Sequence, residues 1–348
     1  MSERLAIFAE GLFAKHNGKT AHGVIRYGAR EVVGVVDSTQ AGRAAAEVVP
    51  FCLHPVPIVA SLAEVVERGA EALLIGVAPT GGRLDEDWKP ALLEAIDAGL
   101  HLEAGLHTQL SDDSELRAAA ERAGVELRDL RAGPGELTVP EGPASRPDGV
   151  SVVHSVGSDT VIGKKVVTLE LDRVARERGR RSVYVPTGQT GVAIAGWGIA
   201  VDHVISDYVA GAAERLVREG AEHGDLLFVE GQGALFHPAY SGVTLGLLHG
   251  SAPDSLVLVH KAGATAIRNY PALAIPPLPE LVTAYENVVR PVRPARVVAI
   301  ALNTSELDTD EEAREAVAAA QDETGLTADD VVRFGSDRVL DAVLEALA

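Results

Sequence analysis

Short runs of β-branched and aliphatic residues alternate with helix-length amphipathic segments along nearly the whole chain, and this alternation leaves few folds open. "RLAIFAEG", "EVVGVVDS", "EALLIGVAP", "HLEAGLH" and "VELRDLR" read as strands, separated by helical patterns such as "SLAEVVERG", "WKPALLEAIDAG" and "DSELRAAAERAG". Strands spaced by helices of this length pair in parallel, with helices on both faces of the sheet. The pattern stops once, at "RAGPGELTVPEGPASRPDGV", where proline and glycine crowd out any apolar period. It resumes with "SVYVPTG", "DYVAGAAERLVREGA", "DLLFVEGQG", "SLVLVHKAG" and "ARVVAIALN". The expectation is therefore two α/β domains, residues 1–135 and 150–348, joined by a linker over 136–149. Any ligand should lie at strand C-terminal ends, where parallel sheets place their sites.

Bulk properties narrow the function classes. A chain of 348 residues supports two domains. Its net charge of −19 argues against nucleic acid as a partner, because phosphate backbones need clustered cations. The longest apolar stretch, "TGVAIAGWGIAV", is too short to span a bilayer and is broken by glycines. The single cysteine, Cys52, excludes an internal disulfide framework. No membrane association, a cytoplasmic location and a small-molecule substrate are expected. The glycine- and alanine-rich stretch also suggests a homo-oligomer surface.

One segment carries the clearest chemistry. "SVVHSVGSDTVIGKKVVTLELDR" reads as strand, glycine-bounded loop and helix. Unpaired amides at a helix N-terminus carry partial positive charge, and a glycine turn lets them converge on a phosphate. Gly157 and Gly163 bracket the turn, and Lys164 and Lys165 follow in a chain where lysine is scarce. His154, inside the preceding strand, reads as a satisfied core histidine.

"GSDTVIGKK" resembles the phosphate loop of dethiobiotin synthetase and its P-loop relatives. The resemblance implies a C-terminal P-loop NTPase-like parallel-sheet domain, with Gly157, Ser158, Asp159, Thr160, Gly163, Lys164 and Lys165 on the cofactor. "VEGQGAL" places Glu230 where those enzymes have a magnesium-binding glutamate, and "VAIALN" places Asn303 where an asparagine touches the base. Lys165 stands where a magnesium-binding threonine is usual, and Val185 where those enzymes carry a lysine. Over nearly its whole length the chain also resembles the DUF1611 family, associated with D-glutamate N-acetyltransferase. That resemblance is carried by "GKTAHGVIRYG", "DLRAGPG", "GQTGVAIAGWGIAVDHVISDYVAGAAE" and "VEGQGALFHPAYSGVTLGLLHGSAPDSLVLVHKAG". It implies an N-terminal Rossmann-like domain and an N-acyltransferase.

Two chemistries suit such a loop. In the first, acetyl-CoA acylates the amine of an acidic amino acid such as D-glutamate, and the adjacent lysines hold the cofactor's phosphates without metal. Asp202, Glu230 or His237 would take the amine's proton. Gln189, Thr190, Gln232, Lys261 and Arg268 are the substrate-binding candidates, the last two as cations. In the second, ATP activates a carboxylate, with Mg²⁺ on Asp159, Asp202 and Glu230. A third reading is a nucleotide sensor without turnover. Asp37 ends the second strand as the ribose-binding acid of a dinucleotide fold does, but no G-x-G-x-x-G precedes it. Asp207 reads as a helix N-cap. In the first domain, Gly81, Gly82, His107 and Thr108 fall in strand-end loops.

Overall fold

A computed structural model describes residues 3–79 and 81–348. The chain forms two units, one up to Gly133 together with Gln189–His203, the other Pro134–Gly188 with Val204–Ala348.

The N-terminal unit has a parallel sheet of β1 (Leu5–Phe8), β2 (Val32–Val36), β3 (Ile58–Val59), β4 (Ala72–Ile75), β5 (His101–Ala104) and β6 (Leu127–Asp129), in the order β3-β2-β1-β4-β5-β6. The order reverses at β1, as in a Rossmann fold. β1 and β4 are buried at every residue, which explains their unbroken apolar sequences. The crossovers carry α1 (Lys19–Tyr27), α2 (Ala45–Val48), α3 (Leu62–Glu67), α4 (Lys89–Asp97) and α5 (Ser114–Ala123). Local chemistry sets their ends: the Asp113 carboxylate accepts the Glu115 and Leu116 amides, and Gly124 stops α5 in the left-handed region at φ 70°.

The C-terminal unit has a second parallel sheet, ordered β14-β13-β10-β7-β9-β8. Its strands are β7 (Ser151–Gly157), β8 (Ser182–Val185), β9 (Leu226–Val229), β10 (Ser255–Lys261), β13 (Arg296–Asn303) and β14 (Thr327–Asp329), while β11 (Ala266–Ile267) and β12 (Tyr270–Ala274) form a separate antiparallel hairpin. Helices α6 (Lys164–Glu177), α8 (Val209–Ala221), α9 (Ser241–Ser251), α10 (Leu278–Val289), α11 (Asp310–Thr324) and α12 (Asp337–Leu347) belong to this unit, and α7 (Gln189–Ala195) to the first. Side chains of β10 alternate between two cores: Val257 and Val259 face Leu171, Val339 and Leu340, while Leu256 and Leu258 face Leu281 and Tyr285. That period of two is what a strand covered on both faces requires.

The structure departs from the sequence reading in three places. Residues 189–203, expected within the catalytic domain, pack with the N-terminal unit: Ile194 meets Gly23 of α1, and the Thr190 and Thr20 hydroxyls are 2.8 Å apart. Asp207 is not an N-cap; it lies in a 3-10 turn, and α8 has Tyr208 at that position with no side-chain cap. The linker segment is fastened down. The Glu214 carboxylate accepts the Glu141 and Gly142 amides, both at 2.8 Å, and a side chain at Gly211 would collide with the Thr138 carbonyl. His154 is a core residue as expected, its Nδ1 2.9 Å from the Ser251 hydroxyl.

Candidate active site

The loop after β7 is built to bring unpaired donors together. Among the described residues, the backbone amides of Val161, Ile162, Gly163 and Lys164 make no hydrogen bond. Gly163 sits at φ 109°, a backbone a side chain would strain, and Val161 accepts a left-handed φ of 57° without being glycine. Gly157 has no room for a side chain: a Cβ there would lie 2.8 Å from Ile162 and 3.1 Å from the Lys164 ammonium. Lys164 is 7% exposed, and its ammonium donates to the Asp159 carbonyl at 2.7 Å. Burial brings Lys164 down to about 8, with the Asp159 and Glu230 charges pulling the other way. A buried ammonium has three N–H groups, so one carbonyl leaves it short of acceptors. Thr168 does not offer its hydroxyl to this loop; it donates to Ser155 at 2.8 Å on β7 and contacts the Lys164 carbonyl.

Glu230 stands one residue past β9 and is 4% exposed. Its Oε2 accepts the Tyr184 hydroxyl at 2.7 Å and the Thr187 amide at 3.3 Å, while Oε1 is 3.9 Å from the Lys165 ammonium. Burial and the adjacent carboxylate hold the Tyr184 phenol well above its usual range. Gln232 donates to the Thr187 carbonyl and, at 3.2 Å, to its hydroxyl. Gly231 allows β9 to approach β7: a Cβ would be 1.6 Å from the Ser155 carbonyl oxygen. Tyr285 ties this loop to the phosphate loop, accepting the Leu235 amide at 3.0 Å and donating to the Gly157 carbonyl at 2.6 Å.

The hairpin closes the third side. The Asp159 carboxylate accepts the Thr160 amide and, across the chain, the Arg268 amide, both at 2.6 Å. Arg268 itself is exposed, and its guanidinium has no ion pair among the described residues. Lys261, the other expected substrate cation, is ion-paired with Glu306. Ser158 shares a hydrogen bond with His260 at 2.8 Å. Asn303 donates to the Ile162 carbonyl at 2.8 Å, so it shapes the loop. His237 is buried, stacked on Tyr240 at 4.6 Å and edge-on to Tyr270 at 5.3 Å. Its Nδ1 accepts the Ala239 amide at 3.2 Å, which leaves the ring proton on Nε2. A base needs a lone pair there, so this geometry does not suit His237 to the proton-accepting role expected from sequence.

Other sequence candidates belong to the N-terminal unit. Asp202 is ion-paired with Arg131, which also donates to the Gly105 carbonyl at 2.8 Å. Thr190 is held by Thr20, and Gln189 packs against Gly105. Gly82 and His107 meet: the His107 amide donates to the Gly82 carbonyl at 2.7 Å. Asp37 is fully buried and already engaged, accepting the Gly11 and Phe13 amides at 3.1 Å and the Thr39 hydroxyl at 2.6 Å. A ribose would compete with the chain's own donors for that carboxylate.

The three carboxylates of the magnesium reading already have partners. Asp159 is engaged by two amides and Glu230 by Tyr184 and Lys165; Asp202 is paired with Arg131 in the N-terminal unit. Among the described residues no three His, Cys, Asp or Glu side chains are placed to hold a metal, and none of the helices is long and apolar enough to cross a membrane. Tyr184, Thr187, Ser155 and Tyr285 were missed by sequence reading. Nothing in their local pattern separates them from core residues, because their roles depend on partners 43 to 128 positions away.

Comparison with known proteins agrees with this architecture. Residues 140–340 match the DUF1611_C P-loop domain, and residues 38–133 match the DUF1611_N Rossmann-like domain, both described as domains of unknown function. A protein of Tritonibacter scottomollicae named D-glutamate N-acetyltransferase is 38% identical over 285 residues, covering 81% of this chain and 84% of the relative. One of the same name from Pseudoalteromonas is 33% identical over 282 residues, covering 80% and 83%. The crystal structure of a DUF1611 family protein from Anabaena variabilis is 41% identical and superposes with a TM-score of 0.92 over 99% of this chain and all of that one. Two matched domains, long alignments and a shared fold together establish that this chain belongs to the DUF1611 family.

Proposed function

We propose that the protein transfers an acetyl group from acetyl-CoA to the amine of an acidic amino acid, with D-glutamate as the leading substrate. Assignment as an N-acyltransferase rests on the two relatives that carry the D-glutamate N-acetyltransferase name. The observation that carries the cofactor reading is Lys164, a buried ammonium with, among the described residues, a single carbonyl partner, beside a row of amides with none. An anionic group satisfies both at once, and a phosphate of coenzyme A supplies it without metal. Lys165, at 3.9 Å from Glu230, puts a cation where magnesium-dependent chemistry would need open carboxylate oxygen. Glu230 is then the acceptor for the ammonium proton of the substrate. The freed amine attacks the thioester carbon, a C–N bond forms, the C–S bond breaks, and coenzyme A leaves as thiolate, taking up a proton. The backbone amides of Gln232 and Gly233, which make no hydrogen bond among the described residues, are the donors available to the oxyanion formed between those steps.

Thermal denaturation with added ligand tests this reading. A ligand binding only the folded state at 100 times its Kd stabilises by about 2.7 kcal/mol. Acetyl-CoA should raise the melting temperature, ATP–Mg²⁺ and NAD should not, and incubation with D-glutamate and acetyl-CoA should yield the N-acetyl product by mass. A shift with ATP–Mg²⁺ and none with acetyl-CoA would point to carboxylate activation instead.

A further inference from the structure

His237 is buried to 1% exposure, yet its Nε2 has no hydrogen-bond partner among the described residues. The proton is on that nitrogen, because Nδ1 already accepts from Ala239. A buried donor left without an acceptor is destabilising, and native proteins keep few of them. Here the ring is also pinned, stacked on Tyr240 and met edge-on by Tyr270, both of which remain partly exposed at 49% and 37%. Tyr270 starts β12, and the Arg268 amide in the same hairpin turn is bound to Asp159 of the phosphate loop. On the other side, Leu235, two residues before His237, is tied through Tyr285 to Gly157. The orphaned donor is therefore connected to the phosphate loop on both flanks, within one unit.

We infer that His237 Nε2–H receives a carboxylate of the amino-acid substrate, beside Tyr240 and Tyr270, with the Arg268 guanidinium, two residues before Tyr270, as the charge that draws it in. The donor is oriented for an acceptor, and Arg268 has no ion pair among the described residues, whereas Lys261 is taken by Glu306. One N–H and one guanidinium match a carboxylate; the phosphates have Lys164 and the loop amides. His237 is then a substrate-binding residue and not the base. The identity of the substrate rests on the acyl-transfer reading; the carboxylate site rests on the geometry.

Kinetics of His237→Leu, His237→Gln and Arg268→Ala test the inference. His237→Leu removes the donor and should raise KM for D-glutamate about tenfold or more, the loss expected of one hydrogen bond to a charged group. Its KM for acetyl-CoA should stay within about twofold; losing the orphaned donor and losing the Nδ1 acceptor of the Ala239 amide act on stability in opposite directions, so the readout is KM. His237→Gln, which returns an amide N–H near the same place, should recover much of the loss. Arg268→Ala alters an exposed side chain, folds regardless, and should also raise KM for D-glutamate. An unchanged KM in His237→Leu or in Arg268→Ala overturns the inference, as does a Gln variant no better than Leu with only kcat reduced. If His237→Leu fails to fold, Arg268→Ala decides alone. If the wild type does not acetylate D-glutamate, the acyl-transfer reading fails separately. The site is then read from the melting shift given by millimolar D-glutamate: a shift lost in Arg268→Ala retains it, and no shift in the wild type overturns it.

Discussion

Each unit has a loop following its central strand, and the two loops have resolved the same problem in opposite ways. After β1, the amides of Gly11 and Phe13 turn toward the buried Asp37 carboxylate, which takes both. After β7, the amides of Val161, Ile162, Gly163 and Lys164 find no partner among the described residues, and a buried lysine stands with them. Both lie at C-terminal strand ends of parallel sheets, where a ligand is expected by topology. The difference is in the spare hydrogen-bonding capacity. In the first loop the converging amides are answered by the chain's own carboxylate. The second has donors to spare, which an anion would satisfy under the proposed function. Fold alone therefore does not distinguish the two loops; the unsatisfied donors do, and the proposed cofactor reading rests on them.

Breaking the first loop should affect folding and not binding. Asp37→Ala strands two amides inside the N-terminal unit and should destabilise it by about 3 kcal/mol, the scale of losing hydrogen bonds to a buried charged group. Acetyl-CoA affinity should stay within about twofold. Chemical denaturation and calorimetry read the two quantities, and a large affinity loss would blur the contrast.

The pH dependence sharpens it next. Lys164 titrates near 8 when folded and in the ordinary lysine range when unfolded. Between those values the unfolded chain binds more protons, so stability rises with pH from about 8 to about 10. The span corresponds to about 3 kcal/mol at 1.36 kcal/mol per pH unit. Anion affinity moves the other way: it is full below 8 and falls up to about tenfold per unit above it, as the ammonium loses its charge. Lys164→Met should remove both slopes. A wild type whose acetyl-CoA affinity is flat from pH 7 to 9.5 would show that Lys164 is not the anion's partner.

The smallest effect belongs to Tyr184→Phe. It deletes one hydrogen bond to Glu230 and should lower stability by about 1 to 2 kcal/mol. With Glu230 less well fixed, kcat should fall while KM for acetyl-CoA holds. A drop confined to KM would move Glu230 out of the proton-accepting role.

The sequence made some of this visible and hid the rest. Apolar runs such as "LAIF" and "SLVLVHK" announce buried parallel strands because both faces are covered, and the glycine-bounded turn before Lys164 announces the P-loop domain. Glu230 was legible as the residue after an apolar run. The transfer of residues 189–203 to the N-terminal unit was not, because it depends on Thr20, Gly23 and Arg131, far away in the chain. The hairpin Ala266–Ala274 escaped notice because β12 is exposed along its length and has no alternation of buried and exposed residues to announce it. Asp202 and Lys261 looked available as charged residues near strand ends. Only the structure pairs them with Arg131 and Glu306.

The most direct test is a calorimetric titration of acetyl-CoA into the wild type and into the Lys164→Ala/Lys165→Ala double variant at pH 7. Removing both ammonium groups should weaken binding by about 100-fold or more, near 3 kcal/mol for two charge-assisted contacts, with the fold intact by circular dichroism. Affinity within twofold of the wild type would contradict an anion held by the loop after β7.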